Sequence, residues 1–184
     1  MSPRKTFIGA AMALATIPQL ASAQTASCLT RTELADAAVF GLPGVVTAVQ
    51  SRCGKSLSAN GYLARNGQKL ITQYRAEQER TWPAARKTME LYIARQSASS
   101  KPNPMLGQVK TLLRNLPART AAPFVEAMIA QEVGKALAGV DCRETERVME
   151  LLSPLPARSV GELFAIAGKQ AANRDDSLPV CAAD

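Results

Sequence analysis

The sequence predicts an all-α protein, an irregular orthogonal bundle of about seven short helices. Three observations carry this. Aromatic residues make up only 4% of the chain while alanine and leucine are common, a composition that favours helix over sheet. Apolar residues recur at helical spacing in several windows. No alternating apolar–polar pattern runs longer than three residues.

The first element is a signal peptide over 1–23. Arg4 and Lys5 form its charged start, Phe7 to Ala15 its apolar core, and Pro18 breaks the helix before Ala21-Ser22-Ala23, an A-x-A cleavage site. Cleavage after Ala23 leaves a chain that begins at Gln24, exported to the periplasm or secreted. A lipid attachment at Cys28 would want a leucine-like residue where Thr25 stands. No later stretch reaches 18 uninterrupted apolar residues, so a soluble mature chain is expected.

Residues 24–184 suit a single helical domain, read as subunits 24–96 and 104–184 joined by a 97–103 loop. Thr30-Arg31-Thr32-Glu33 is a capping box that opens a helix to about Phe40. Gly41-Leu42-Pro43-Gly44 stops it, and a second helix runs from about Val45 to Cys53, ended by Gly54. A longer helix starts at Ser58 or Asn60, with Leu63, Leu70, Ile71 and Tyr74 on one face. Trp82-Pro83 interrupts it, Thr81 caps the next helix, and Met89, Tyr92 and Ile93 follow at core spacing before it fades by Gln96. Asn103-Pro104 opens a helix that ends near Asn115. The next runs from Ala121 to Leu137, with Val125, Met128, Ile129, Val133, Ala136 and Val140 as its apolar stripe, and Gly139 beyond it. Asp141 caps a helix to about Leu152, and Ser159-Val160-Gly161-Glu162 opens the last, to about Ala172. The tail from Arg174 has no periodicity.

Two corners are spelled alike: "LLRNLPART" at 112–120 and "LLSPLPARS" at 151–159. The likeness fades beyond them. The reading is mechanical: Leu-Pro ends one helix, Thr120 or Ser159 caps the next, and the leucines fill the core. Arg119 and Arg158 stand before these helix starts as a candidate anion-binding pair.

Four cysteines, Cys28, Cys53, Cys142 and Cys181, form an even set without C-x-x-C, which in an exported chain implies disulfides. Pairing Cys28 with Cys53 and Cys142 with Cys181 closes one local loop in each half, and this pairing is expected.

The chain contains no histidine, which removes Ser-His-Asp and Cys-His catalysis and histidine-ligated zinc or haem. No catalytic residue, cofactor or metal site is predicted. Glu77/Glu79 and Glu144/Glu146/Glu150 are the carboxylates that come nearest to a general acid/base pair, but arginines surround the second group. Asp175-Asp176 is too small a set for a calcium site. The lysine-assisted serines, Ser51 with Lys55 and Ser97 with Lys101, lack the S-x-x-K spacing. Of the 22 basic residues, removing Arg4 and Lys5 leaves 20 against 15 acidic. Residues 24–104 carry 11 basic and 5 acidic side chains, Arg65, Lys69, Arg75, Arg80 and Arg86 among them, whereas residues 105–184 carry 9 and 10.

The expected function is therefore non-enzymatic: an interaction or binding protein of the cell envelope, partner unknown, with nucleic acid disfavoured because no aromatic residues interleave the cations. A small carboxylate-dependent hydrolase of envelope glycans and a binder of anionic envelope polymers through the basic half are the alternatives.

Overall fold

The computed structural model describes residues 28–98, 111, 113–175 and 178–181. Six helices are bounded there: α1 (Arg31–Cys53), α2 (Tyr62–Arg75), α3 (Gln78–Ala98), α4 (Ala118–Ala136), α5 (Cys142–Leu152) and α6 (Ala157–Asp175). Residues 113–115 are helical as well. The only pairing of extended chain among the described residues is an isolated parallel bridge between Leu29 and Val180. The signal peptide, the remainder of the 97–103 loop beyond Ala98, the Asn103-Pro104 helix start and the side chains of Asp175-Asp176 lie outside the described residues.

The Thr30 capping box forms as expected: the Glu33 N–H donates to the Thr30 hydroxyl, and the Thr30 N–H donates to Glu33 Oε2 at 2.9 Å. From there α1 does not stop. It runs 23 residues through Gly41-Leu42-Pro43-Gly44, so the expected pair of short helices is one continuous helix. Proline costs α1 one N–H, but burial on several sides outweighs that loss. Leu34, Val39, Phe40, Val46, Val49 and Cys53 are all buried, and the other five helices pack around this axis. The two glycines serve the packing. A Cβ on Gly44 would stand 2.7 Å from the Glu126 carbonyl oxygen and 3.0 Å from Ile129 Cβ, both on α4. The motif is thus the notch where α4 crosses α1. Gly161 does the same for α6: its Cβ would meet the Ala35 carbonyl oxygen and Val39, each at 2.5 Å. By length and composition α1 could cross a membrane, but more than half of its apolar window is buried, as the centre of this bundle.

The break between α2 and α3 falls at Ala76–Glu77, and Trp82-Pro83 lies inside α3. Thr81 is therefore no cap. It is fully buried and its hydroxyl donates to the Glu77 carbonyl at 2.9 Å. Trp82 stacks against Phe40, ring centroids 5.2 Å apart, and its indole N–H donates to the Leu116 carbonyl at 3.2 Å. These two rings join α1, α3 and α4 in one core cluster with Ile93, Leu113, Ala122 and Val125. A second cluster joins α1, α2 and α6 through Leu42, Val46, Leu70, Ile71, Tyr74 and Val160.

Both disulfides differ from the expected pairing. Cys28 bonds Cys181, and Cys53 bonds Cys142, at sequence separations of 153 and 89. Each bridge ties the first half of the chain to the second, because α1 belongs to both. The two halves are interleaved around one helix, not stapled separately. Cys28–Cys181 lies beside the bridge at Leu29, which donates to the Pro179 carbonyl at 2.7 Å and accepts from Cys181 N–H at 2.9 Å.

The two Leu-Pro corners do share a geometry, but it begins earlier than expected. Pro117 is the N-cap of α4, and its carbonyl accepts from Thr120 and Ala121; Pro156 stands in the same place before α6, accepting from Val160. An N-cap needs no N–H of its own, so proline fits there. Thr120 and Ser159 are inside the first turn, and the capping box expected at Ser159 does not form. At Asp141 the expected cap is present: its carboxylate accepts from Arg143 and Glu144 N–H.

Candidate interaction surface

Once buried positions are assigned, the outward positions of the later helices stand out. α4 buries Ala118, Ala121, Ala122 and Val125, which turns Phe124 and Met128 to solvent. The sequence places Met128, Ala136 and Val140 in the core stripe, but all three are exposed: the buried face of α4 runs through Ala118, Ala121, Ala122 and Val125, and Val140 lies beyond the end of the helix. α5 tucks Met149 and Leu152 against α2, leaving Val148 and Leu151 outside. α6 buries Val160 and Ala165 against α1 and exposes Leu163, Phe164 and Ile166. Of ten large hydrophobic side chains exposed among the described residues, nine lie between Phe124 and Ile166. The basic half contributes only Tyr92. A surface helix normally turns polar residues outward, so these apolar outer positions are the candidates for an interaction surface.

The repeated corner takes part in this asymmetry. In the first copy Leu113 is buried and Leu116 packs against the core. In the second, Leu152, the counterpart of Leu113, also packs against the core, whereas Leu155, the counterpart of Leu116, is 36% exposed. One leucine of the corner packs inward in both copies, and the one before the proline turns outward only in the second, a difference the letters alone do not carry.

The two members of the candidate anion pair have different surroundings. Arg119 is exposed near the start of α4. Arg158 pairs with Glu162 on its own helix at 3.4 Å and, with Arg31, Asp36 and Glu162, lines a notch of about 280 Å³ between α1 and α6. Charges of both signs meet there. A second, shallower groove of about 470 Å³ lies between α1 and α4, floored by Ala48, Ala130, Gly134 and Ala138.

Most of the basic set named from the sequence is engaged internally. Arg75 donates to both oxygens of Glu126 at 3.1 and 2.6 Å, and this pairing holds its guanidinium pKa above the ordinary arginine value. Gln78 donates to the same carboxylate at 2.9 Å, so the buried Glu126 is satisfied from two sides. Arg80 binds Asp36 at 2.9 Å and Glu77 at 3.1 Å, and both carboxylates raise its pKa. Arg86 donates to the Arg114 carbonyl.

The carboxylates are likewise placed by structure. Glu146 accepts the Leu63 backbone N–H at the start of α2, while Glu150 pairs with Arg147 at 2.8 Å. No group of three potential metal ligands occurs among the described residues. No family model, no characterised protein and no solved structure matches the chain.

Proposed function

We infer that this chain is an exported, non-enzymatic interaction protein of the cell envelope that docks a protein partner through the outward faces of its later helices. The observation that carries this is the segregation of exposed large hydrophobics to α4, α5, α6 and their connections. Interface cores gather apolar and aromatic side chains and shed charged ones. Export rests on the Arg4-Lys5 start, the Ala21-Ser22-Ala23 cleavage signal and two disulfides, which persist in oxidising compartments.

The other two readings draw less support. A glycan hydrolase needs one carboxylic acid and one carboxylate across a cleft. Asp36 and Glu162 do share the α1–α6 notch, but each is bound to an arginine and Glu162 is half exposed. An anionic-polymer binder needs cations free to release counterions, and Arg75 and Arg80 are committed to internal carboxylates.

The test places a photo-crosslinking residue at Leu163 or, as control, at Lys69 in the basic half, in cells with intact envelopes. A discrete protein adduct from Leu163 and none from Lys69 is the expected result. Equal labelling from both, or from neither, overturns the reading. N-terminal sequencing of the exported product should begin at Gln24.

A further inference from the structure

We propose that α6 is a self-association helix, pairing antiparallel with α6 of a second copy across a two-fold axis. The proposal deepens the interaction reading above and rests on it. With Val160, Gly161 and Ala165 turned into α1, helical geometry sends Leu163, Ile166, Ala167 and Gln170 to the opposite side, and all four are exposed. Leu163 and Ile166 then stand three residues apart as a short apolar strip, with Gln170 one turn further on the same side. Ala167 borders the strip and is small enough to let a second helix come close.

The occupant is indicated by charge. Glu162 and Lys169 lie seven residues apart on one flank of this strip, opposite in sign. In an antiparallel pair with its two-fold near Ala165 and Ile166, Glu162 of each helix faces Lys169 of the other, and both contacts form at once. In a parallel pair the two-fold would run along the seam and carry the two Glu162–Lys169 flanks to opposite sides, so neither contact would form. The patch is complementary to itself in one orientation. The Arg158–Glu162 contact does not prevent this: at 3.4 Å, with both side chains largely in solvent, it is a weak pair that Glu162 can share.

The experiment is sedimentation equilibrium of the mature, disulfide-intact protein across the micromolar range. A monomer–dimer equilibrium is expected. Glu162→Lys and Lys169→Glu should each weaken it about tenfold, since two attractive contacts become two repulsive ones. The double variant Glu162→Lys/Lys169→Glu should restore the wild-type constant, which no outside partner or non-specific hydrophobic association would do. Ile166→Glu should give monomers with unchanged helical circular dichroism. A monomer at the highest concentration, a dimer indifferent to these changes, or a double variant that does not recover would each overturn the proposal. The broader reading fails separately. If Leu163 still cross-links an envelope protein while the chain stays monomeric, docking stands and self-association falls.

Discussion

The Glu146 carboxylate on α5 accepts the backbone N–H of Leu63 at 2.9 Å, capping the first turn of α2 from 83 residues away. The N-cap of α2 is Gly61, which has no side chain to offer. A carboxylate there also favours the positive end of the helix. Glu146→Ala is expected to lower stability by about 1 kcal/mol, the usual cost of a lost cap. Glu146→Gln should cost less, because the acceptor remains. Denaturant unfolding measures both, and hydrogen exchange adds a local check: the Leu63 amide should exchange faster in the alanine variant.

Glu33 makes stability pH-dependent in a known direction. Burial pushes its pKa up, but the Lys87 ammonium at 2.7 and 2.8 Å and the Thr30 backbone N–H outweigh burial and bring it below 4.5. A carboxylate with a depressed folded-state pKa stabilises fully above its unfolded value and loses that contribution as pH falls through the folded one. The stability gap between wild type and Glu33→Gln should therefore be flat near neutrality and shrink as pH drops below about 4.5. Lys87→Met should flatten the same acid limb. Thermal melts over this range read the effect, and a gap that widens in acid would contradict it.

Non-reducing peptide mapping should return Cys28 linked to Cys181 and Cys53 linked to Cys142. By loop-closure entropy each long loop contributes about 5 kcal/mol, a model-dependent figure. Cys53→Ala/Cys142→Ala is expected to deliver somewhat less, about 3–4 kcal/mol, since Val49, Leu63 and Met149 still hold the same ends together. A Cys28–Cys53 peptide would contradict the fold.

These results mark what the residues disclosed in advance. Helical class was legible because composition favours helix and the Leu63, Leu70, Ile71 and Tyr74 stripe of α2 is buried as its spacing predicts. The caps at Thr30 and Asp141 were legible because a cap is a contact within four residues. Glu146 capping Leu63 was not, since nothing local records a partner so distant. The disulfide pairing failed for the same reason: short loops are entropically the natural guess, but α1 places Cys53 beside α5 and Cys28 beside the tail. Pro43 and Pro83 have the letters of helix stops because proline disfavours helix interiors, and burial of the residues around them overrides that preference. The candidate surface was hidden most completely. Leu151, Leu163 and Ile166 have the letters of core residues, and only the choice of which face meets α1 shows them to be outside.

Gly44 and Gly134 both sit inside helices, and the structure assigns them opposite responses to alanine. At Gly44 the added Cβ would meet the Glu126 carbonyl oxygen at 2.7 Å and Ile129 Cβ at 3.0 Å. Backbone and a branched Cβ cannot swing aside, so α1 and α4 must separate, disturbing the Phe40–Trp82–Val125 cluster. Gly44→Ala should cost about 2–3 kcal/mol, as overpacked cores do. At Gly134 the added Cβ meets nothing within 4 Å, and only helix propensity changes. Gly134→Ala should stabilise by about 0.5–1 kcal/mol. The two sites share no contacts, so the double variant should show the sum. Denaturant midpoints at constant m-value decide the matter. A neutral Gly44→Ala would mean that α4 does not cross α1 in this notch, and that Gly41-Leu42-Pro43-Gly44 is the helix stop its letters imply.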